Sequence, residues 1–271
     1  MGYASLLVLP RRPPSRTMLS QRLRAPGAAA TVIIVATLGT LTVASACGPA
    51  SAPTPDAALN SASDSAPDFV EAVEAAPYAS TTPALDPEGW LLAFVDVETT
   101  GLVPGWHEMI DLGVVMTDLD GQAVDSLFVR IQPRHPERTS PGAVAVNGFD
   151  VERWQALGAA SPADAVAQLL AFHERAAVGR SVVMVAFNSP FDTAFLDHLL
   201  RAEGRSWREL YHYFVLDLPS MAWSLGLREL TGNDLSQRLG VPDEPRVADE
   251  HTGLTGARLN ARLYRALRDW R

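Results

Sequence analysis

Trp90 to Leu102 read WLLAFVDVETTGL, an apolar run that stops at two acids and a turn, and the rest of the fold can be read outward from it. Leu91 to Val95 are all apolar, as in a strand buried on both faces in the middle of a sheet. Side chains two apart on a strand share a face, so Asp96 and Glu98 stand side by side at its carboxyl end, before Thr99, Thr100 and Gly101 turn the chain. Two ionised carboxylates this close repel each other unless one is protonated or a cation lies between them. A divalent metal is the simplest remedy; the plainer alternative is an acid pair at a solvated strand end.

Downstream, Met109 to Thr117 (MIDLGVVMT) and Ala123 to Ile131 (AVDSLFVRI) flank Asp118-Leu119-Asp120-Gly121. Asp and Gly there mark a tight turn and predict an antiparallel hairpin beside the first strand. Ser161 as cap, Pro162 at the first position and Asp164 in the first turn open a helix that runs to about Ala176. Ser181 to Phe187 (SVVMVAF) predicts another buried strand and Pro190 to about Glu203 a helix, with a fifth strand over Tyr213 to Leu218. Further helices are expected near Pro219 to Ser224, Asp234 to Leu239 and from His251 to Arg268. The sum is an α/β fold, a mixed sheet of about five strands flanked by helices.

Two later segments add chemistry. In Ala186 to Leu196 (AFNSPFDTAFL), Asn188 suits a strand-to-helix turn, and Asp192 has an ordinary explanation as the partner of a Ser189 cap. His251 follows Asp249 and Glu250 and leads an apolar helix carrying Leu254, Ala257, Leu259 and Leu263. Arg258, Arg262 and Arg265 on that helix are read as a solvated face near its end rather than as a phosphate-steering stripe.

The order FVDVETTGL, then NSPFDTAFL, then a histidine-led helix resembles the DEDDh branch of the DnaQ-like 3′-to-5′ exonucleases, which includes polymerase proofreading subunits, ribonuclease T and oligoribonuclease. The likeness covers roughly Trp90 to Ala266 and extends to Ala145-Val146-Asn147-Gly148 and Leu216-Asp217. It implies a ribonuclease H-like fold and a metal-dependent 3′-to-5′ exonuclease acting on single-stranded DNA or RNA ends, with two divalent ions, Mg²⁺ or Mn²⁺. By the same resemblance Asp96, Glu98 and Asp192 are the metal ligands and His251 is the general base, while Thr99 and Leu102 hold and wedge the terminal nucleotide. Asn188 joins them as a candidate substrate contact. Histidine suits proton abstraction because its ordinary pKa lies near neutrality.

One position departs from the pattern. The family's third motif is H-x-x-x-x-D, and five residues beyond His251 stands Gly256. Losing one anionic ligand weakens a hard-cation site. The alternatives are an enzyme working with three acids, a catalytically impaired nucleic-acid-binding protein that Gly256→Asp would repair, and a phosphodiesterase acting on short oligonucleotides.

The chain of 271 residues has a net charge of −9, which argues against a general nucleic-acid coating protein but not against an enzyme that grips one strand end through metals. All 22 basic residues are arginine. Residues 1–47 combine Arg22 and Arg24, an apolar run from Ala28 to Ala46 and the sole cysteine, Cys47. That is the anatomy of a secretory signal, resembling a bacterial lipoprotein site with a lipidated Cys47, or else of an uncleaved membrane anchor. A start at Met18, just ahead of Arg22 and Arg24, would give a shorter and more typical signal, and if the start site is wrong a cytoplasmic location is the alternative. Residues 48–88, rich in Ala, Ser and Pro, predict a disordered linker with a short helical stretch around Asp68 to Ala76, and residues 89–271 form the exonuclease-like domain. No protein partner can be inferred.

Overall fold

The computed structural model describes residues 81–271; the expected signal or anchor, Cys47 and the stretch Asp68 to Ala76 lie outside the described residues. Strand β1, Trp90–Thr99, is central, as its unbroken apolar run requires. Strands β2 (Met109–Thr117) and β3 (Ala123–Arg130) follow as the antiparallel hairpin, and β4 (Ser181–Ala186) and β5 (Val215–Asp217) add in parallel on the other side. The strand order is β3-β2-β1-β4-β5.

Alternation along β1 divides the core. Leu91, Ala93, Val95 and Val97 pack with helices α3 (Pro162–Ala177) and α4 (Ser189–Ala202), which contribute Leu169, Phe172, Phe195 and Leu196. Leu92 and Phe94 face α5 (Leu218–Ser224), α6 (Gly232–Leu239) and α7 (Gly253–Arg268), meeting Ala222, Leu235, Ala257 and Leu263. Asp96 and Glu98 continue the even-numbered row, so the acids emerge on the face that α7 covers. The start of α7 crosses β2 closely enough that glycine is required on both elements. A Cβ on Gly113 would lie 2.1 Å from the Gly253 carbonyl carbon, and one on Gly253 would lie 2.7 Å from the Gly113 nitrogen. This approach fixes where His251, two residues before α7, can reach.

Two short helices, α1 (Pro141–Asn147) and α2 (Val151–Ala156), were not foreseen from the sequence. Each depends on a cap, with Ser140 Oγ accepting from Ala143 N at 3.2 Å and Asp150 Oδ1 from Arg153 N at 2.8 Å. Six or seven residues are too few for helical periodicity to show. The capping box expected at Ser189 is also corrected. The cap of α4 is Asn188, in the left-handed region at φ 66° with no side-chain cap bond, and Ser189 N donates instead to Asp217 Oδ1 at 2.9 Å. Arg262, expected on a solvated face, reaches back to the Pro242 carbonyl at 3.0 Å, in keeping with a structural role.

Candidate active site

The sheet's carboxyl end opens into a cleft lined by Asp96, Glu98, Asp192, His251, Gly256 and Asn260, with Glu244 and Arg246 from the loop before α7. Asp192, freed from any capping duty, is buried in the first turn of α4, where its Oδ1 accepts from Val97 N at 3.2 Å. That bond ties the second acidic segment to the strand between the first two acids. Asn260 Nδ2 donates to the Val95 carbonyl at 3.3 Å and fastens α7 to the same strand.

Glu98 is held on two sides. Its Oε1 lies 3.0 Å from His251 Nε2, and its Oε2 accepts from Asn147 Nδ2 at 3.3 Å, while the same Asn147 amide donates to the Thr99 carbonyl at 3.0 Å. His251 Nδ1 faces the Pro245 carbonyl at 3.2 Å. The Glu98 bond, outweighing the opposing effect of burial, pushes the imidazole pKa up to about 9, so at neutral pH His251 is an imidazolium paired with Glu98.

The buried acids are raised as well, away from the range of an exposed carboxylate. Asp96 is held well above the usual range, first by burial and then by repulsion from Asp192 and Glu98. Asp192 is likewise raised, chiefly by burial, against the lowering effect of its backbone hydrogen bonds. Asp111, register partner of Glu98 across β1 and β2, is pushed up to about 7 by burial and by Glu98. Its Oδ1 accepts from Gly253 N at 2.8 Å, while its Oδ2 is buried without a partner among the described residues.

Among the described residues no three His, Cys, Asp or Glu side chains already stand in a metal-ligating arrangement, with Glu98 turned to His251 and Asp192 tied to Val97. The donor chemistry nevertheless fits a hard divalent cation, which takes carboxylate oxygens. Asp96 accepts no hydrogen bond among the described residues, and burial and the neighbouring Asp192 and Glu98 all disfavour its charge, a cost that a bound cation would relieve.

Gly256 has a specific consequence. A Cβ at this position would fall 2.2 Å from Asp96 Oδ2 and 2.5 Å from its Cγ, so the Asp96 carboxyl fills the space that the absent side chain leaves. Helix propensity alone predicts that Gly256→Ala stabilises by about 1 kcal/mol, whereas overpacking costs about 1–3 kcal/mol. A contact this short lets the second effect win, and the variant is expected to melt below the wild type in a metal-free thermal scan.

Asp111 gives a pH-dependent expectation. Its folded-state pKa lies above the unfolded value of 3.8, so its contribution to stability is fully present below that value and is lost as pH rises through about 7. Asp111→Asn keeps an acceptor for Gly253 N and removes the ionisation. Metal-free Asp111→Asn is expected to lose less stability between pH 4 and pH 8 than the wild type. At pH 8 it should be the more stable protein, by on the order of 1 kcal/mol or more.

The structure thus brings Asp96, Glu98, Asp192 and His251 together. Thr99 is buried beside them with its Oγ1 donating to the Gly101 carbonyl at 2.7 Å, Leu102 is 80% exposed on the following loop, and Asn188 is exposed at the start of α4, outside the lining of the cleft. Sequence reasoning missed Asp111, Asn147, Glu244 and Arg246 as members of the site. Asn147 alone had a signal, in the familiar Ala145 to Gly148 segment.

No family model matches the chain. It is 25% identical over 182 residues to the 3′-5′ DNA exonuclease Cap18 of Escherichia coli, an alignment covering 64% of this chain and 89% of Cap18. Among solved structures, Escherichia coli exonuclease I in complex with a dT13 oligonucleotide superposes with a TM-score of 0.56 at 14% identity, over 66% of this chain and 41% of that one. The nuclease domain of 3′hExo, a DEDDh family member bound to rAMP, gives a TM-score of 0.55 at 16% identity, covering 66% of this chain and 92% of that domain. These two likenesses show the fold, a ribonuclease H-like sheet, and the chain spans about two fifths of exonuclease I. Its sheet and its ordered motifs agree with these likenesses: in sequence the chain is similar to a 3′-5′ DNA exonuclease, and in fold it is similar to DEDDh exonucleases.

Proposed function

We propose that this protein is a metal-dependent 3′-to-5′ exonuclease that hydrolyses phosphodiester bonds at single-stranded ends. The observation behind this reading is the convergence of Asp96, Glu98, Asp192 and His251, residues from three separate segments, on one cleft. Asp96, Glu98 and Asp192 would hold two divalent cations, Mg²⁺ or Mn²⁺. When bound, such ions stabilise the attacking and leaving oxygens of a phosphodiester.

The chain's own residues do the rest. Asn147 restrains Glu98, and the Val97 N–H restrains Asp192. His251 Nε2, once released from Glu98 and deprotonated, accepts a proton from the attacking water. Leu102, projecting from the loop after β1, offers an apolar surface against the terminal base, and Thr99 supports that loop from beneath. Gly256 favours the second reading, a binding protein of impaired activity. We also propose attachment to a membrane through a lipidated Cys47 or an uncleaved apolar segment, a reading supported by the sequence of residues 1–47 alone.

The test is the product pattern of the full chain with Mn²⁺ on single strands of graded length, of DNA and of RNA, with free or blocked 3′ ends. Stepwise mononucleotide release from free 3′ ends only is expected. Binding without hydrolysis in every divalent ion would favour the second reading, and cleavage restricted to the shortest strands would indicate a phosphodiesterase acting on short oligonucleotides.

A further inference from the structure

The helix position that should bear a fourth acid bears Gly256, and a loop supplies another acid to the same cleft. Glu244 lies in the loop between α6 and α7, its side chain only 7% exposed. Its Oε2 accepts from Thr255 Oγ1 at 3.2 Å and stands 3.5 Å from His251 Nδ1, while its Oε1 is 3.1 Å from Arg246 Nη1. The two acids nearest His251 in sequence do not reach the site: Asp249 and Glu250 are exposed, and Asp249 pairs with Arg153 at 2.9 Å.

A buried carboxylate among other carboxylates is costly unless a cation compensates it. Arg246, half-exposed at the cleft and shared with Asp243, and His251, already engaged by Glu98, compensate it only in part. We propose that Glu244 is the fourth carboxylate of the divalent-cation site, delivered from the loop before α7 in place of the acid missing at Gly256. The inference rests on the metal-dependent reading above. It accounts for two features together: a glycine whose space the Asp96 carboxyl has entered, and an acid buried against the general-base candidate with no apolar role to explain it.

The test is the thermal stabilisation of the full chain by Mn²⁺ alone, titrated in wild type, Glu244→Gln, Glu244→Asp and Asp249→Asn. Loss of one anionic ligand is expected to raise the half-saturating Mn²⁺ concentration about tenfold or more in Glu244→Gln, less in Glu244→Asp, which keeps the charge, and not at all in Asp249→Asn. A role confined to propping His251 would lower the metal-free melting temperature and leave the half-saturation unchanged. Half-saturation of Glu244→Gln within about twofold of wild type therefore overturns the proposal. If Glu244→Gln lacks a cooperative melt, Glu244→Asp decides: a rise of about threefold or more supports the proposal, and the wild-type value overturns it. A wild type that Mn²⁺ does not stabilise overturns the metal-dependent reading as well, so the two failures are distinguishable.

Discussion

Asp96→Asn is expected to lower hydrolysis by on the order of a thousandfold while making the metal-free protein more stable. The two effects have one cause. Asp96 sits where burial and the neighbouring Asp192 and Glu98 all disfavour its charge, and it accepts no hydrogen bond among the described residues that an amide would lose. An isosteric neutral side chain removes that repulsion, so its melting temperature should rise at neutral pH and the gain should vanish in acid. The sign follows from linkage: a carboxyl whose folded pKa is raised gives up stability as pH climbs. The same amide is a poor ligand for a hard cation, so the charge that destabilises the empty cleft is the charge that catalysis needs. Parallel measurement of melting temperature and turnover checks both halves, and a variant that is destabilised and still active would contradict this account of the cleft.

His251→Gln is expected to lose a factor of about 10²–10⁴ in turnover, the usual worth of a positioned base. The size of the loss should depend on pH. With Glu98 on Nε2 the imidazole titrates near 9, so a base that must first give up its proton is increasingly available as pH rises towards that value. A cation that draws Glu98 away removes the cause of the shift and moves the rise to lower pH. Wild-type turnover should therefore climb through neutral pH, at a midpoint that falls with metal concentration, and His251→Gln should show a flat profile. Since glutamine preserves a donor towards Glu98, the fold should survive the change.

Much of this arrangement was legible because the residues concerned are local. The apolar run before Asp96 has no reading other than a buried strand, and the turn at Asp118 to Gly121 forces the hairpin. His251 was placed by its position before an apolar helix. What escaped notice depends on tertiary contacts. Asp111 joins the site through strand register, since nothing in MIDLGVVMT says which residue will lie across from Glu98. Glu244 approaches His251 through an irregular loop whose path no periodicity encodes. The capping role given to Ser189 failed for a reason the sequence did contain, because asparagine enters the left-handed region more readily than most residues and Asn188 does so here. The resemblance alone implies a missing ligand at Gly256, whereas its use as room for the Asp96 carboxyl could be seen only once α7 lay against β1. Repair by Gly256→Asp, as the sequence suggested, would first require Asp96 to leave that space.

The most direct measurement is mononucleotide release from a free-ended single strand by the full chain, followed with Mn²⁺, with a chelator, and in Asp192→Asn. Three acids gathered to hold cations against a scissile phosphate predict release from the 3′ end that chelation stops and that Asp192→Asn nearly abolishes. Release that persists in the chelator or in Asp192→Asn, or a wild type that yields no mononucleotide with any divalent ion, would contradict it.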